Sequence, residues 1–239
     1  MDLERLADNN YTPRTGSSQG GSDLGERGAG AVRSNEDVEA SMKMISLIVL
    51  AAGKSTRMKE NKLLLKLDGE TLVERVVKTA KESSADEVVV VLGYEAAKIK
   101  EQLAKLHWKL VVNDNYVRGQ SESVKVGLAA ISNNAEAVMI LPADVALIDS
   151  QSINRVIEEY RRSRNRIVIA SHQQQSGHPI LIDKTLFAEV SEIGEDTQGL
   201  KAMINRHRAE IKYVEVDTEN VLIDIDTKEE FDKYFRRAA

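Results

Sequence analysis

The chain contains no cysteine, so neither a disulfide nor a thiolate metal site is available to it, and its redox compartment stays open. No apolar run approaches the roughly 20 residues that span a bilayer. The N-terminus also lacks the apolar stretch of a secretory signal, so the expected location is cytoplasmic, with no membrane partner. Basic residues are not in excess: 33 Lys and Arg stand against 38 Asp and Glu, a net charge of −5, which argues against a nucleic-acid partner. A Ser-His-Asp triad, a His/Cys metal cluster and an internal repeat are missing as well. What remains is ordinary for a soluble globular protein: 239 residues, 42% apolar and 30% charged, enough for one α/β domain with a full core.

Residues 1–42 differ from the rest. They hold six glycines and few apolar residues, without helical or strand periodicity. They read as a disordered leader, a mis-assigned start or a cloning remnant. A chain beginning at Met42 is therefore expected to fold and keep its activity, with residues 43–239 as a single domain.

The stretch from Leu47 to Met58 organises the rest of the chain. A short apolar run reads as a buried parallel strand over 45–51, and it breaks at Ala51-Ala52-Gly53 into a loop carrying Lys54, Ser55 and Arg57, with Lys62 soon after. Small residues let a ligand approach the backbone, whose N–H groups can cradle phosphate. The loop is neither a Walker A motif nor Gly-x-Gly-x-x-Gly. Further strands are expected at 88–92, 110–112, 137–141, 167–170, 180–182, 211–216 and 221–225. Helices are expected from Thr71 to about 83, at 95–106, from Ser121 or Ser123 to 131, at 150–162, 184–192 and 197–207, and from Thr227. Asp68-Gly69 marks a turn in a small extended excursion. The alternation of strand and helix predicts an α/β fold, an open and mostly parallel sheet covered on both faces. Ligands sit beyond the carboxyl ends of such strands, so loops 52–62, 113–123 and 142–149 should share one crevice.

Arg57 and Lys62 suit a polyphosphate whose charge grows during phosphoryl or nucleotidyl transfer. Asp144 closes the fourth strand opposite that loop, where a carboxylate can bind Mg²⁺ together with substrate phosphates; its plainer role is a turn cap. Strand alternation over 221–225 would send Asp224 and Asp226 to one side, so that Asp226 joins Asp144. Asp226 or Thr227 can also cap the last helix, with Glu229 or Glu230 completing a capping box. Gly119 to Ser123 suits a ribose, base or phosphate contact at a helix start, and Gly177-His178-Pro179 is a second candidate contact loop.

Leu50-Ala51-Ala52-Gly53-x-Ser55-x-Arg57-Met58 with Lys62 resembles the signature of the nucleoside-triphosphate transferase superfamily. Val90 to Gly93, Gly119-x-Ser121-x-Ser123, Gly177-His178-Pro179 and Asp224-Ile225-Asp226-Thr227 resemble, more narrowly, the molybdenum cofactor cytidylyltransferase family, over about residues 45–235. The resemblance implies a Rossmann-like three-layer α/β/α fold with a mostly parallel mixed sheet. It implies that Leu50, Ala51, Ala52, Gly53 and Ser55 hold the nucleotide. Arg57 and Lys62 would bind its phosphates and, with Asp144, serve catalysis. Gly93 and Ser123 would lie by the base and ribose, Asp144 and Asp226 would bind Mg²⁺, and His178 would line the acceptor side. The implied reaction is CTP plus molybdopterin to molybdopterin cytosine dinucleotide and pyrophosphate, with a molybdoenzyme or its chaperone as protein partner. Ala52 in place of a second glycine leans toward CTP over GTP. The chain departs from the family pattern at Lys59, at Pro142 to Leu147 and at Gly194 to Gly199. Ser123-Val124-x-x-Gly127-Leu128 also resembles the cytidylyltransferase of the methylerythritol phosphate pathway, which keeps transfer to a sugar or polyol phosphate open. A non-catalytic nucleotide- or pterin-binding module that delivers cofactor is the reading of another class.

Overall fold

The computed structural model describes residues 44–58, 60–104 and 109–235. The leader 1–42 and Lys59, both singled out in the sequence, lie outside the described residues. A seven-stranded sheet runs in the order β5-β4-β1-β6-β8-β7-β9. Its strands are β1 (Met44–Ala51), β4 (Glu87–Leu92), β5 (Lys109–Val112), β6 (Ala135–Pro142), β7 (Ile167–His172), β8 (Gln175–Asp183) and β9 (Ile211–Glu215). A separate hairpin pairs β2 (Lys66–Leu67) with β3 (Glu70–Thr71) around Asp68 and Gly69, both at positive φ, as the Asp-Gly pair predicts. In the large sheet β8 alone runs antiparallel, to both β6 and β7; the other pairings are parallel. The mostly parallel mixed sheet is thus as expected.

Seven α-helices cover it among the described residues: α1 (Leu72–Glu82), α2 (Ala96–Leu103), α3 (Gln120–Ala130), α4 (Ser150–Ser163), α5 (Phe187–Ser191), α6 (Gly199–Arg206) and α7 (Lys228–Phe235). The central strands β1, β4, β6 and β7 are largely continuous apolar runs because both faces are buried. One apolar layer joins β1 and β6 side chains to Val76 and Val77 of α1, Ile153 and Ile157 of α4 and Phe231 of α7. The other joins the opposite side chains, such as Ile48 and Ile140, to Val124 of α3, Val190 of α5 and Met203 of α6. Alternate residues of one strand feed opposite layers, as the pleat requires.

Local signals fix the helices. Thr71 caps α1 in a reciprocal box with Glu74. Asp149 Oδ1 accepts from the Ser152 N–H at 2.7 Å to start α4. Ile153, Val156, Ile157 and Tyr160 then recur at helical spacing and are all buried. None of the helices is long and apolar enough to cross a membrane, among the described residues.

Four expectations fail locally. Residues 221–225 are not a strand: a 3-10 turn covers Glu219–Leu222. The Ile225 N–H then donates to the Asp144 carbonyl at 3.0 Å, so the segment pairs with a loop instead of a sheet edge. Gly177-His178-Pro179 is not a loop but lies within β8, at the register shift in its antiparallel pairing with the preceding strand β7. No serine side chain caps α3: Gly119 is its N-cap, and the Ser121 N–H is taken instead by Glu195 Oε1 at 2.7 Å, from 74 residues away. The helix expected at 184–192 divides into a 3-10 turn, Lys184–Leu186, and the short α5.

Candidate active site

Adjacent parallel strands put the first loop and Asp144 side by side. Leu50 pairs with Pro142 at the carboxyl ends of β1 and β6, and the Ala143 N–H donates to the Leu50 carbonyl at 3.0 Å. The neighbouring β4 ends at Gly93. A Cβ there would lie 2.7 Å from the Cβ atoms of both Ala52 and Tyr116, so glycine is what allows those loops to close together. The three loops expected to converge do so around a cleft of about 310 Å³, bordered by Ala52, Gly53, Tyr116, Gly119, Ser123 and Asp144.

At its floor lies a charge network. Lys62 Nζ donates to Asp144 Oδ2 and to Asp226 Oδ1, both at 2.7 Å. Arg57 Nη1 holds the other oxygen of Asp226 at 2.6 Å. Burial works against the charge on Lys62, but Asp144 and then Asp226 outweigh it and its pKa is raised. Asp226 is affected by burial too, yet the hydrogen bond from Lys62 and the nearby Arg57 hold its carboxyl below the usual range. Both groups stay ionised through the neutral range. Asp224 behaves differently: desolvation, with the charges of Asp144 and Asp226, pushes its carboxyl up to about 6. Asp226 also serves the last helix, since Glu230 Oε2 accepts from the N–H groups of Asp226 and Thr227 and the Glu230 N–H donates to Thr227 Oγ1. The capping role read in the sequence is thus met by the backbone of Asp226 and by Thr227, and leaves the Asp226 carboxylate to Lys62 and Arg57.

Leu50, Ala52, Gly53, Lys62, Ser123 and Asp144 all border the cleft. Ser55, Arg57 and Asp226 border a small recess of about 170 Å³ that shares Gly53, Lys62 and Asp144 with it. Ser55 Oγ accepts from the Lys62 N–H at 3.2 Å, so its hydroxyl shapes the loop. Ser123 Oγ accepts from Asn113 Nδ2 at 3.0 Å. Ala51 does not join them: it is fully buried inside β1, because the side chain before the turn points into the core. Gly93 lies behind Ala52 and Tyr116 and acts through packing.

His178 borders a second, larger cavity of about 510 Å³. Its walls are mixed: Ile140, Ile169, Ile180 and Ile204 line it beside Lys201, Asn205, Arg208 and Asp224, with Tyr213 from the edge strand. Gln120, at the start of α3, borders both cavities. His178 Nδ1 is buried without a hydrogen-bond partner. Burial lowers its pKa, against the pull of Asp144, so the ring is neutral at pH 7. Sequence reasoning gave no role to Tyr116 or Glu195 individually. The glycine at position 119 was their one local signal: its φ is +109°, and a Cβ there would meet the Glu195 side chain.

The carboxylates fit a hard divalent cation. Asp144 Oδ1 is buried and unpartnered, and Asp226 lies across Lys62 from it. Among the described residues no group of three or more His, Asp or Glu forms a ready-made metal cage. Such a pair suits an ion that takes its remaining ligands from a polyphosphate and water.

Comparison with known proteins agrees. Residues 47–211 match the family described as the MobA-like NTP transferase domain. The chain is 31% identical over 193 residues to the purine catabolism protein PucB of Bacillus subtilis strain 168, covering 77% of this chain and 93% of that one. It is 29% identical over 167 residues to the bifunctional protein GlmU of Synechococcus sp. strain RCC307, covering 69% of this chain but 35% of that longer protein. The chain therefore spans about a third of the length of the GlmU relatives it matches. The crystal structure of Rv0371c from Mycobacterium tuberculosis H37Rv shares the fold, with a TM-score of 0.73 and 23% identity over 82% of this chain and 100% of that one. Rv0371c has also been solved in complex with manganese.

Proposed function

The chain belongs to the MobA-like NTP transferase family, and from that footing we propose that it is a Mg²⁺-dependent nucleotidyltransferase joining the cytidylyl group of CTP to the phosphate of molybdopterin. The observation that carries the reading is the network of Lys62, Arg57, Asp144 and Asp226 beside a cleft that shares the lining residue Gln120 with a second cavity. A binding module needs one pocket; a transferase needs two that meet. An oxygen of the acceptor phosphate forms the new bond to the α-phosphorus of CTP, the bond from that phosphorus to the β-phosphate bridging oxygen breaks, and pyrophosphate departs with the electron pair. The acceptor arrives already ionised, so no strong general base is required.

The protein's part is positioning and electrostatics. Gly53 and Ala52 let the nucleotide approach the backbone, and Arg57 and Lys62 meet the charge that builds on the transferred phosphoryl group and the departing pyrophosphate. Asp144 and Asp226 would hold the divalent ion, whose positive charge supports the same transition state when bound. The manganese complex of Rv0371c supports a divalent ion in this fold. Ala52 favours CTP through the family resemblance. The second cavity carries Lys201, Asn205 and Arg208 beside its isoleucines, groups that suit the phosphate and polar edges of an acceptor.

A pyrophosphate-release screen of four nucleotides against molybdopterin, methylerythritol phosphate and hexose phosphates tests the proposal. The expected result is release with CTP and molybdopterin only. Release with a sugar or polyol phosphate instead would move the assignment to that acceptor, and release with none would leave a carrier.

A further inference from the structure

Three of the four oxygens of the carboxylate pair are already occupied by the protein's own cations. Lys62 takes Asp144 Oδ2 and Asp226 Oδ1, and Arg57 takes Asp226 Oδ2. The ammonium of Lys62 therefore stands between the carboxylates, where a shared divalent ion would have its ligands. Its side chain is only 11% exposed, so its interactions are weakly screened. Arg57, at 67%, reaches in from solvent. Only Asp144 Oδ1 is left free, and no third carboxylate or imidazole completes a cage among the described residues.

We infer that Lys62 is the resident counter-cation of this carboxylate pair and that a divalent ion enters only as a polyphosphate draws Lys62 away, so metal and nucleotide bind as one event. The inference rests on the proposed nucleotide and metal site and adds the order in which it fills. The physical reason is charge. A divalent ion ligated by Asp144 would lie close to an ammonium in a partly buried site, and that repulsion suppresses binding. A triphosphate reverses the balance: it offers Lys62 and Arg57 new anionic partners and supplies the ion with oxygens that the protein lacks. Without nucleotide the site is electrically satisfied and has little affinity for the ion. With nucleotide the cations exchange partners.

The probe is Mn²⁺ alone, titrated without nucleotide and followed by the electron paramagnetic resonance signal of the free ion. Removing the ammonium in Lys62→Met leaves two neighbouring carboxylates that need a cation. Mn²⁺ should then bind at least about tenfold more tightly than in the wild type. Lys62→Arg keeps the charge and should show no gain, and adding Asp144→Asn to Lys62→Met should abolish it. Thermal melts confirm that each variant is folded, and Lys62→Gln replaces Lys62→Met if that variant is not. Unchanged or weaker Mn²⁺ binding in a folded, uncharged variant overturns the inference, as does an equal gain in Lys62→Arg. A separate calorimetric titration of the wild type with CTP and Mg²⁺ keeps the two readings apart. No CTP binding there defeats the nucleotide site itself, whereas CTP binding beside an unchanged Mn²⁺ affinity in Lys62→Met defeats only the counter-cation.

Discussion

Lys62 is 3-10-helical at Lys62–Leu64, its backbone N–H tied to Ser55 and its ammonium to two aspartates. With its backbone fixed by Ser55, Lys62 can hand its ammonium from the aspartates to a polyphosphate, where a positive charge matters most as negative charge develops. Lys62→Ala should therefore lower the rate constant for transfer by roughly 10²-fold or more while weakening CTP binding much less. Arg57→Ala should lower the rate and also weaken binding, since its guanidinium can grip a phosphate with two donors. Calorimetry for CTP beside single-turnover kinetics on the same variants separates the two effects. A carrier would show the reverse, with binding lost and no transfer to lose. These residues were legible because Leu50 to Lys62 is a contiguous stretch, and its chemistry is set by neighbours in sequence. The Lys62 bridge to Asp226 was not, because it closes over 164 residues. The contact from Glu195 to the start of α3 is likewise invisible without the fold.

The elements report their own stability. In α1 the Thr71 hydroxyl accepts from the Glu74 N–H while Glu74 reaches back to the Thr71 N–H. Thr71→Ala removes a cap and should cost about 1 kcal/mol, measured by denaturant unfolding. At the end of α6, His207 sets Nε2 against Glu189 of α5 at 2.7 Å and Nδ1 against Glu210 at 2.8 Å. Both ring nitrogens can donate only when the ring is protonated, and these hydrogen bonds, accepted by Glu210 and then by Glu189, raise its pKa above 6.5. A raised folded-state pKa gives stability that is complete below the unfolded value and disappears as pH climbs through the folded one. The melting temperature of the wild type should therefore exceed that of His207→Gln most at about pH 5 to 6, where the ring is protonated and both carboxylates are ionised, and converge with it as pH climbs through the raised folded-state value. A margin that widens with pH would contradict the clamp. Most strands were legible as apolar runs, since burial on both faces leaves no other pattern. The exceptions are instructive. β8 extends through Gly177-His178-Pro179 because it pairs with β7 on both sides of that stretch, and residues 221–225 look like a strand but pair with the Asp144 loop instead.

At the scale of the molecule, the order of β1, β4 and β6 in one parallel sheet brings three loops to one end, and that much followed from the alternation of strand and helix. The second cavity did not. It depends on the antiparallel β8 and on α6, whose positions are fixed by contacts distant in sequence. Together the two cavities make the central claim concrete: a nucleotide and an acceptor meet over Lys62, and the bond that breaks lies between the α- and β-phosphates. Following labelled phosphorus tests this most directly. With CTP labelled at the α-phosphate, Mg²⁺ and molybdopterin, the label should appear in a pterin–cytidylyl product. With CTP labelled at the γ-phosphate it should appear in pyrophosphate alone. Label from the γ-phosphate in the acceptor, or no α-label in any product, would contradict the account.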